Sequence, residues 1–473
     1  MCYKSVISVS NARSELIFVF LISVLLQPYK GIKNRIMTAQ ILFALSLLIT
    51  LAVFAFTMRR IFFNFRFTRK KKLTNYPARI RETVKVAIAQ QKIFRHPVMG
   101  LVHALVFWGF IVILFGSLEM VVDGLFGTVR SFAVLGWFYD LLMLTGDVFA
   151  AIIAVAILIF LFRRIFLHVK RFYGREMKPV SKADANLALS FILLLMLSLL
   201  GMNTFYLLEM HNAGQDFEGV FPVSQSLADL FAGMSDKQII FWHHFNWWFH
   251  ILLIFVFANV LPYSKHFHVF MSVPNVFVSR IEPLGKVDNM ENITKEVKLM
   301  LDPAAPMDVA ADETVEKFGV SDTTDINWVN YMNALSCTEC GRCTAVCPAN
   351  ITGKLLSPRK IVMDVRARMK EKGAGLMKQG AAFEDGKSLL GDYITEEELW
   401  ACTMCNACAQ ECPININQPS LILDMRRYLV LEQSKAPSGL NTAFTNIENN
   451  GAPWQYSPED RLNWAEELYM NKA

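Results

Sequence analysis

Five apolar runs, at residues 38–58, 98–122, 142–162, 187–208 and 239–261, govern what the first half of this chain can become. Each is close to the roughly 20 residues that a membrane-crossing helix needs. Hydrocarbon offers no hydrogen-bond partner, so a crossing segment must satisfy its backbone internally, as a helix does. The segments between the runs alternate in charge. Residues 59–96 hold twelve Lys or Arg and one acid, Glu82, and residues 163–182 hold seven Lys or Arg. Residues 123–140 hold only Arg130 as a base, and residues 211–235 hold no Lys or Arg but carry Asp216, Glu218 and Asp229. Basic loops stay on the cytoplasmic side. The first helix is therefore expected to start outside and the fifth to end inside, with everything after Leu261 in the cytoplasm.

An earlier run at 16–26 is too short to span. Residues 1–36 are read as an extension of doubtful structure rather than a sixth helix or an uncleaved signal. The formal net charge of +6 hides a split: residues 283–473 carry 19 Lys+Arg against 27 Asp+Glu, and the remaining residues carry 28 against 14. The basic part is also the apolar part, so its charge is expected to face lipid head groups and not nucleic acid. From 283 to 330 the chain turns acidic and polar, with Pro303 and Pro306, which reads as a linker. No period-2 alternation stands out after it. Apolar Ile361, Val362, Val365 and Met369 recur at helical spacing within 358–372, and 421–431 reads as a second amphipathic helix. Residues 435–473, rich in Asn, Pro and Trp, read as an extended tail or docking segment.

Eight of the nine cysteines form one spacing twice: Cys337, Cys340, Cys343 and Cys347 before Pro348, then Cys402, Cys405, Cys408 and Cys412 before Pro413. Cys2 stands apart and reads as an inert thiol. Gaps of two residues wrap three sulfurs around one [4Fe–4S] cube, and the fourth cysteine of each run ligates the other cube. The expected quartets are therefore Cys337, Cys340, Cys343 and Cys412 for one cluster, and Cys402, Cys405, Cys408 and Cys347 for the second. Gly341 lets the loop pass close to the inorganic sulfides, and Pro348 and Pro413 end each loop. Four disulfides would need an oxidising compartment, and zinc sites pair two Cys-x-x-Cys units without a third cysteine and a Cys-Pro end. Both fit the repeat poorly. The 54 residues between Cys347 and Cys402 exceed the spacing of a compact small cluster protein.

Ionisable residues inside spanning helices are functional candidates. His103 lies in the second run and His250 in the fifth, at depths suited to a facing pair that ligates a six-coordinate b haem. His268 lies 18 residues beyond His250, on the same face if the helix continues past Pro262. His96 lies seven residues before His103, again on one face. His96 and His268 are thus candidates for a second haem, with His266 as an alternative. His168 reads as solvated. His211, His243 and His244 sit at the outer boundary and suit interfacial packing or a quinone or proton path. Trp242, Trp247 and Trp248 suit an interfacial belt.

Residues of about 38–275, through GLVHALVFWGF and WWFHILLIFVFANVLPYSKHFHVF, resemble the haem b membrane (gamma) subunit of respiratory nitrate reductase and the related heterodisulfide reductase membrane subunit. That resemblance implies five helices with haem ligands on the second and fifth. In the nitrate reductase subunit the two histidines of the second helix lie further apart than His96 and His103. Residues of about 330–465, through CTECGRCTAVCPANITGKLLSPRKI, ACTMCNACAQECP and NIENNGAPWQYSPEDRLNWA, resemble membrane-bound Fe–S oxidoreductases related to heterodisulfide reductase. In longer relatives CCG domains follow this tail. The resemblance therefore implies a separate CCG-domain or flavoprotein oxidoreductase partner in the cytoplasm.

The expected architecture is all-α. A five-helix transmembrane haem b bundle at 37–275 is followed by a linker at 276–330, a cytoplasmic ferredoxin-like domain with two [4Fe–4S] clusters at 331–432, and a docking tail at 433–473. The expected function is that of an electron-transfer subunit of the bacterial inner membrane, joining quinone or menaquinone, one or two b haems and the clusters to the soluble partner. It is not expected to be a self-sufficient enzyme. No Gly-rich phosphate loop, flavin fingerprint or nucleophile–base set is evident. The alternatives are a haem-free membrane-anchored ferredoxin and a redox sensor.

Overall fold

The apolar runs become long helices because nothing else can carry a backbone through hydrocarbon. The computed structural model describes residues 32–302 and 317–470. The apolar run at 16–26, the two linker prolines Pro303 and Pro306 and the last three residues lie outside the described residues. Among the described residues there is no β-strand, only the isolated bridges Arg69–Asn327 and Leu390–Ile394.

Among the described residues, five helices are long and apolar enough to cross a membrane. They are α1 (Ile32–Phe63), α2 (Pro97–Phe126), α3 (Trp137–Ile165), α4 (Pro179–Asn212) and α5 (Asp236–Val260). Even the shortest, at 25 residues, rises about 37 Å, more than the roughly 30 Å hydrocarbon layer. Their ends are written locally. Proline opens α2 and α4, where its missing N–H costs nothing. Ser235 and Gln238 form a capping box at the start of α5.

By compact packing the described chain divides into two units. The first contains residues 32–58, 93–169 and 177–266, and therefore most of the five helices. Within it α2 packs on α3, α3 on α4 and α4 on α5. Small residues set the approach. A Cβ on Gly109 would meet the Phe149 and Ile153 side chains at 2.7 and 2.8 Å, as expected where helices associate by close van der Waals contact rather than hydrophobic drive. Phe43 is fully buried and brings α1 onto α5 through Trp247, Trp248 and Phe255. Asp147 is 1% exposed; it accepts from the Val223 and Ser224 backbone N–H groups at 2.8 and 3.0 Å and so caps the short helix Pro222–Ala228.

The second unit contains residues 59–92, 170–176 and 267–470. It holds most of the first basic loop and the middle of the second as well as the cysteine region. Its helices include α6 (His268–Val278), α7 (Trp328–Ser336), α8 (Pro358–Gln379) and α9 (Gln418–Leu431). The helix expected over 358–372 is α8, and Ile361, Val362, Val365 and Met369 are each 0% exposed. They face Leu421, Ile422 and Met425 of α9, also 0% exposed. The tail read as extended is helical over Ser438–Asn450 and Asn463–Met470; its prolines, Pro437, Pro453 and Pro458, all lie outside these helices.

Two expectations of helical register fail. The helix of His250 does not run on to His268. α5 ends at Val260, Pro262 sits in a 3-10 turn, and His268 opens α6. Likewise His96 precedes α2, with φ −112° and ψ 84°, because Pro97 excludes the α conformation for the residue before it. Neither pair lies on one continuous helix face.

One buried ionic network ties the second unit together. The Arg368 side chain is 0% exposed and donates to Asp322 at 2.9 Å, to Asp385 at 2.6 Å and to the Lys387 carbonyl at 2.6 Å. Lys372 reaches Asp322 at 2.7 Å. Burial opposes the Asp322 charge, but Arg368 and Lys372 outweigh it and hold the carboxyl below its usual range. Removing one partner of such a network strands the others. Arg368→Met is expected to destabilise the protein by about 3–5 kcal/mol, read as a lowered thermal midpoint; a loss well under 1 kcal/mol would show that the network is dispensable.

Candidate metal centre

Each cysteine run turns on the same pair of backbone reversals. In the first, Glu339 (φ 56°) and Gly341 (φ 74°) flank Cys340; in the second, Met404 (φ 54°) and Asn406 (φ 60°) flank Cys405. Left-handed residues on both sides of the middle cysteine turn the chain back on itself among the first three cysteines of each run. Non-glycine residues hold this conformation at a cost and only where surroundings enforce it. Gly341 is required for a second reason: a Cβ there would lie 2.6 Å from Arg359 Nη1 and 2.8 Å from the Arg171 carbonyl.

Cys343 and Cys408 then sit on the short helices Arg342–Ala345 and Ala407–Glu411. Cys347 and Cys412 follow in extended conformation, with ψ 118° and 121°, as a residue before proline prefers. The surroundings of the thiols group them crosswise. Burial pushes Cys412 up to about 12, and the thiols that add to this are Cys340 and Cys337 of the first run. Burial pushes Cys408 up to about 12, helped by Cys402, Cys347 and Cys405. Cys343 is raised well above its ordinary value by burial and by Cys340, Cys337 and Cys412, with Cys408 also contributing. A cavity is lined by Cys347, Cys402, Cys405 and Cys408 together, closed by Leu356 and Ile422. Among the described residues no three His, Cys, Asp or Glu side chains converge as a single-ion site requires.

The donor set suits iron–sulfur cubes. Soft sulfur ligands arrive from several directions, and buried thiols must give up their protons to bind, so metal uptake and proton release are coupled. Backbone N–H groups also point at sulfur: Met404 to Cys402 Sγ and Ile416 to Cys412 Sγ, both at 3.4 Å. Such contacts are among the terms that set a cluster's potential.

The sequence reading did not single out the arginines. Arg366 donates to the carbonyl of Cys337 at 2.8 Å, and Arg426 donates to the carbonyl of Cys402 at 2.5 Å. The two runs are thus anchored alike, at the first cysteine of each. Arg359, 1% exposed, pairs with Glu176 at 2.7 Å and donates to the Arg171 carbonyl at 2.7 Å and the Glu339 carbonyl at 3.4 Å. Burial opposes the Glu176 charge, yet the Ser357 hydrogen bond and Arg359 hold its carboxyl below the usual range. The available signal was slight: Glu176 is the one acid in the basic stretch 163–182.

The histidines divide. His250 on α5 is 1% exposed, with Nδ1 2.9 Å from Ser198 Oγ and 3.0 Å from the Leu195 carbonyl. His103 is half-buried on α2. The α2 and α5 helices are not a principal packing pair. His96 is exposed, and His268 belongs to the second unit. His243 pairs with Glu209 at 2.6 Å. His243, His244 and His250 line a cavity of about 280 Å³ within the first unit, together with Glu119, Asp123 and Arg130.

Residues 336–416 match the family of 4Fe-4S dicluster domains. Three proteins are similar over longer stretches. The "probable iron-sulfur-binding oxidoreductase FadF" of Bacillus subtilis is 29% identical over 411 residues, covering 80% of this chain and 54% of that protein. The EtfAB:quinone oxidoreductase of Syntrophomonas wolfei is 28% identical over 410 residues, covering 80% and 53%. A "probable membrane-anchored ferredoxin" of Chromohalobacter salexigens is 34% identical over 172 residues, covering 33% and 25%. No solved structure matches the chain. The chain spans about half the length of the first two relatives. It is thus a multi-pass membrane protein with a 4Fe-4S dicluster domain, similar to iron–sulfur oxidoreductases.

The crosswise grouping makes a specific prediction. Cys412→Ala should abolish the cluster of Cys337, Cys340 and Cys343 and leave the other intact, and Cys347→Ala should do the reverse. Iron content falls from about eight to about four per chain in each, and the surviving electron paramagnetic resonance signal differs between the two variants. The same surviving signal in both would refute the crosswise assignment.

Proposed function

We propose that this chain is the membrane subunit of an oxidoreductase complex, passing electrons between the quinone pool, a b haem, two [4Fe–4S] clusters and a separate cytoplasmic oxidoreductase subunit. The observation that carries the reading is the composition of the second unit. The cysteine region folds together with residues 59–92 and 170–176, the basic loops joining the spanning helices. Basic loops mark the cytoplasmic side, so the clusters are assigned to that side of the bacterial inner membrane.

Quinone is supported by the similarity to an EtfAB:quinone oxidoreductase and by the cavity of about 280 Å³ lined by Glu119, Arg130, His243 and His244. Oxidising a quinol releases protons with its electrons, so a site for it needs acceptors within the spanning helices. Glu119 is held there by the Phe132 N–H at 2.9 Å, Tyr139 Oη at 3.2 Å and Arg130 at 3.8 Å. The Glu209–His243 pair supplies a second acceptor.

A haem, when bound, would supply one-electron transfer between the quinone site and the clusters. His250 is suited to hold it. A ligating histidine gives its other ring N–H to a carbonyl, and donation from Nδ1 to the Leu195 carbonyl turns Nε2 outward as the ligand atom. His103 is proposed as the opposite ligand, since the second and fifth helices of the resembling nitrate reductase and heterodisulfide reductase subunits serve that role. The proposal carries one haem, because His96 and His268 lost the helical register that paired them with the first two. The soluble partner is proposed to be a CCG-domain or flavoprotein subunit. A haem-free anchored ferredoxin is the second reading, favoured by the similarity to a probable membrane-anchored ferredoxin.

The reduced-minus-oxidised visible spectrum of the purified protein separates the two. A b-type band that disappears in His250→Ala and in His103→Ala is expected, while the clusters persist in both variants. Wild-type protein without the band would leave the anchored ferredoxin.

A further inference from the structure

The two quartets are chemically alike but differently housed. The first is held by segments that run into spanning helices. Ser336, next to Cys337, donates to the Met271 carbonyl at 3.1 Å. Gly341, next to Cys340, is cradled by Arg359 and the Arg171 carbonyl. Beyond Cys412, the Ile414 carbonyl accepts from Asn275 at 2.8 Å, and Asn415 donates to Glu82 at 3.1 Å. Glu82 lies between α1 and α2, Arg171 between α3 and α4, and Met271 and Asn275 in α6, a few residues after α5. The first quartet is therefore gripped by the segments joining α1 to α2 and α3 to α4 and by α6, which follows α5 in the chain. The cavity of the second quartet is lined by residues between 347 and 422, and Arg426 anchors Cys402.

Exposure follows the same division. From Cys337 to Thr344 every residue is buried apart from half-buried Thr338 and Cys340. In the matching run Thr403 and Cys405 are exposed. The short helices Arg342–Ala345 and Ala407–Glu411, which carry Cys343 and Cys408, pack on each other, which places the two quartets side by side.

We infer that the clusters stand in a fixed order: the quartet of Cys337, Cys340, Cys343 and Cys412 is the membrane-side station, and the quartet of Cys347, Cys402, Cys405 and Cys408, with Cys405 at the surface, is the exit to the soluble oxidoreductase. The inference rests on the proposed reading that both clusters carry electrons between quinol and a soluble protein. Each step moves one electron from one cube to its neighbour, with no bond made or broken. The electron passes from a quinol to the oxidised soluble partner, or from the reduced partner to a quinone, so the order holds in both directions. An apolar rim suits a protein occupant. Val346, Ile351 and Leu355, around Cys347, are 36%, 68% and 40% exposed.

Two measurements test the order. In wild-type protein reduced with dithionite, a soluble dysprosium chelate should speed the spin relaxation of one cluster signal several-fold more than the other. The affected signal should be the one lost in Cys405→Ala and kept in Cys340→Ala. Equal relaxation, or enhancement of the Cys340 cluster, overturns the inference without reference to quinone. In membranes supplied with a quinol, Cys405→Ala should still reduce the first cluster. Cys340→Ala should leave the second oxidised, although dithionite reduces it. Quinol reduction of the second cluster without the first overturns the order. If quinol reduces neither cluster in the wild type, the quinone reading fails while the relaxation contrast still decides the order.

Discussion

A buried guanidinium holds the working parts of the second unit in place. Arg359 answers the Glu176 carboxylate and two backbone carbonyls from a position with almost no solvent. Burying a charge is costly unless partners surround it, so this arginine is tolerated only because the 170–176 loop and the Glu339 turn both present oxygen to it. The same geometry explains Gly341, since any larger residue would collide with the guanidinium. One ion pair thus fixes a loop between spanning helices, the turn of a cysteine run and the start of α8. Ser357 joins it by donating to Glu176 at 2.7 Å while capping α8.

Much of this was legible in the sequence because two strong codes were present. A spanning helix announces itself by length and hydrophobicity, and the five found match the five apolar runs. The cysteine repeat announces cubes by spacing. Its mirrored left-handed residues were less legible, since Glu339 and Met404 carry no propensity for that conformation, and only Gly341 and Asn406 hint at it. The arginines at Cys337 and Cys402 were invisible, because one-dimensional spacing does not say which surface charge will turn inward onto a carbonyl.

The histidines show where periodicity misleads. Counting residues from His250 to His268, or from His96 to His103, presumes an unbroken helix. Pro262 and Pro97 deny it, the first by ending a helix and the second by setting the conformation of the residue before it. Inside the spanning helices the reading favoured histidine and passed over acids. Asp147 and Glu119 are both buried there, one capping a short helix and the other gathering an N–H, a phenol and a guanidinium.

The second unit draws on residues from 59 to 470. Its contacts therefore span nearly the whole chain, an arrangement of high contact order that closes late. Synthesis runs from the N-terminus, so the 59–92 segment emerges long before the helices it packs with. During that interval the basic loops remain with water and lipid head groups, and the unit cannot assemble until the last cysteines have left the ribosome. Membrane insertion must thus precede cluster-domain folding, and a truncation after α5 would leave the connecting segments without the α6 and α8 surfaces they fold against.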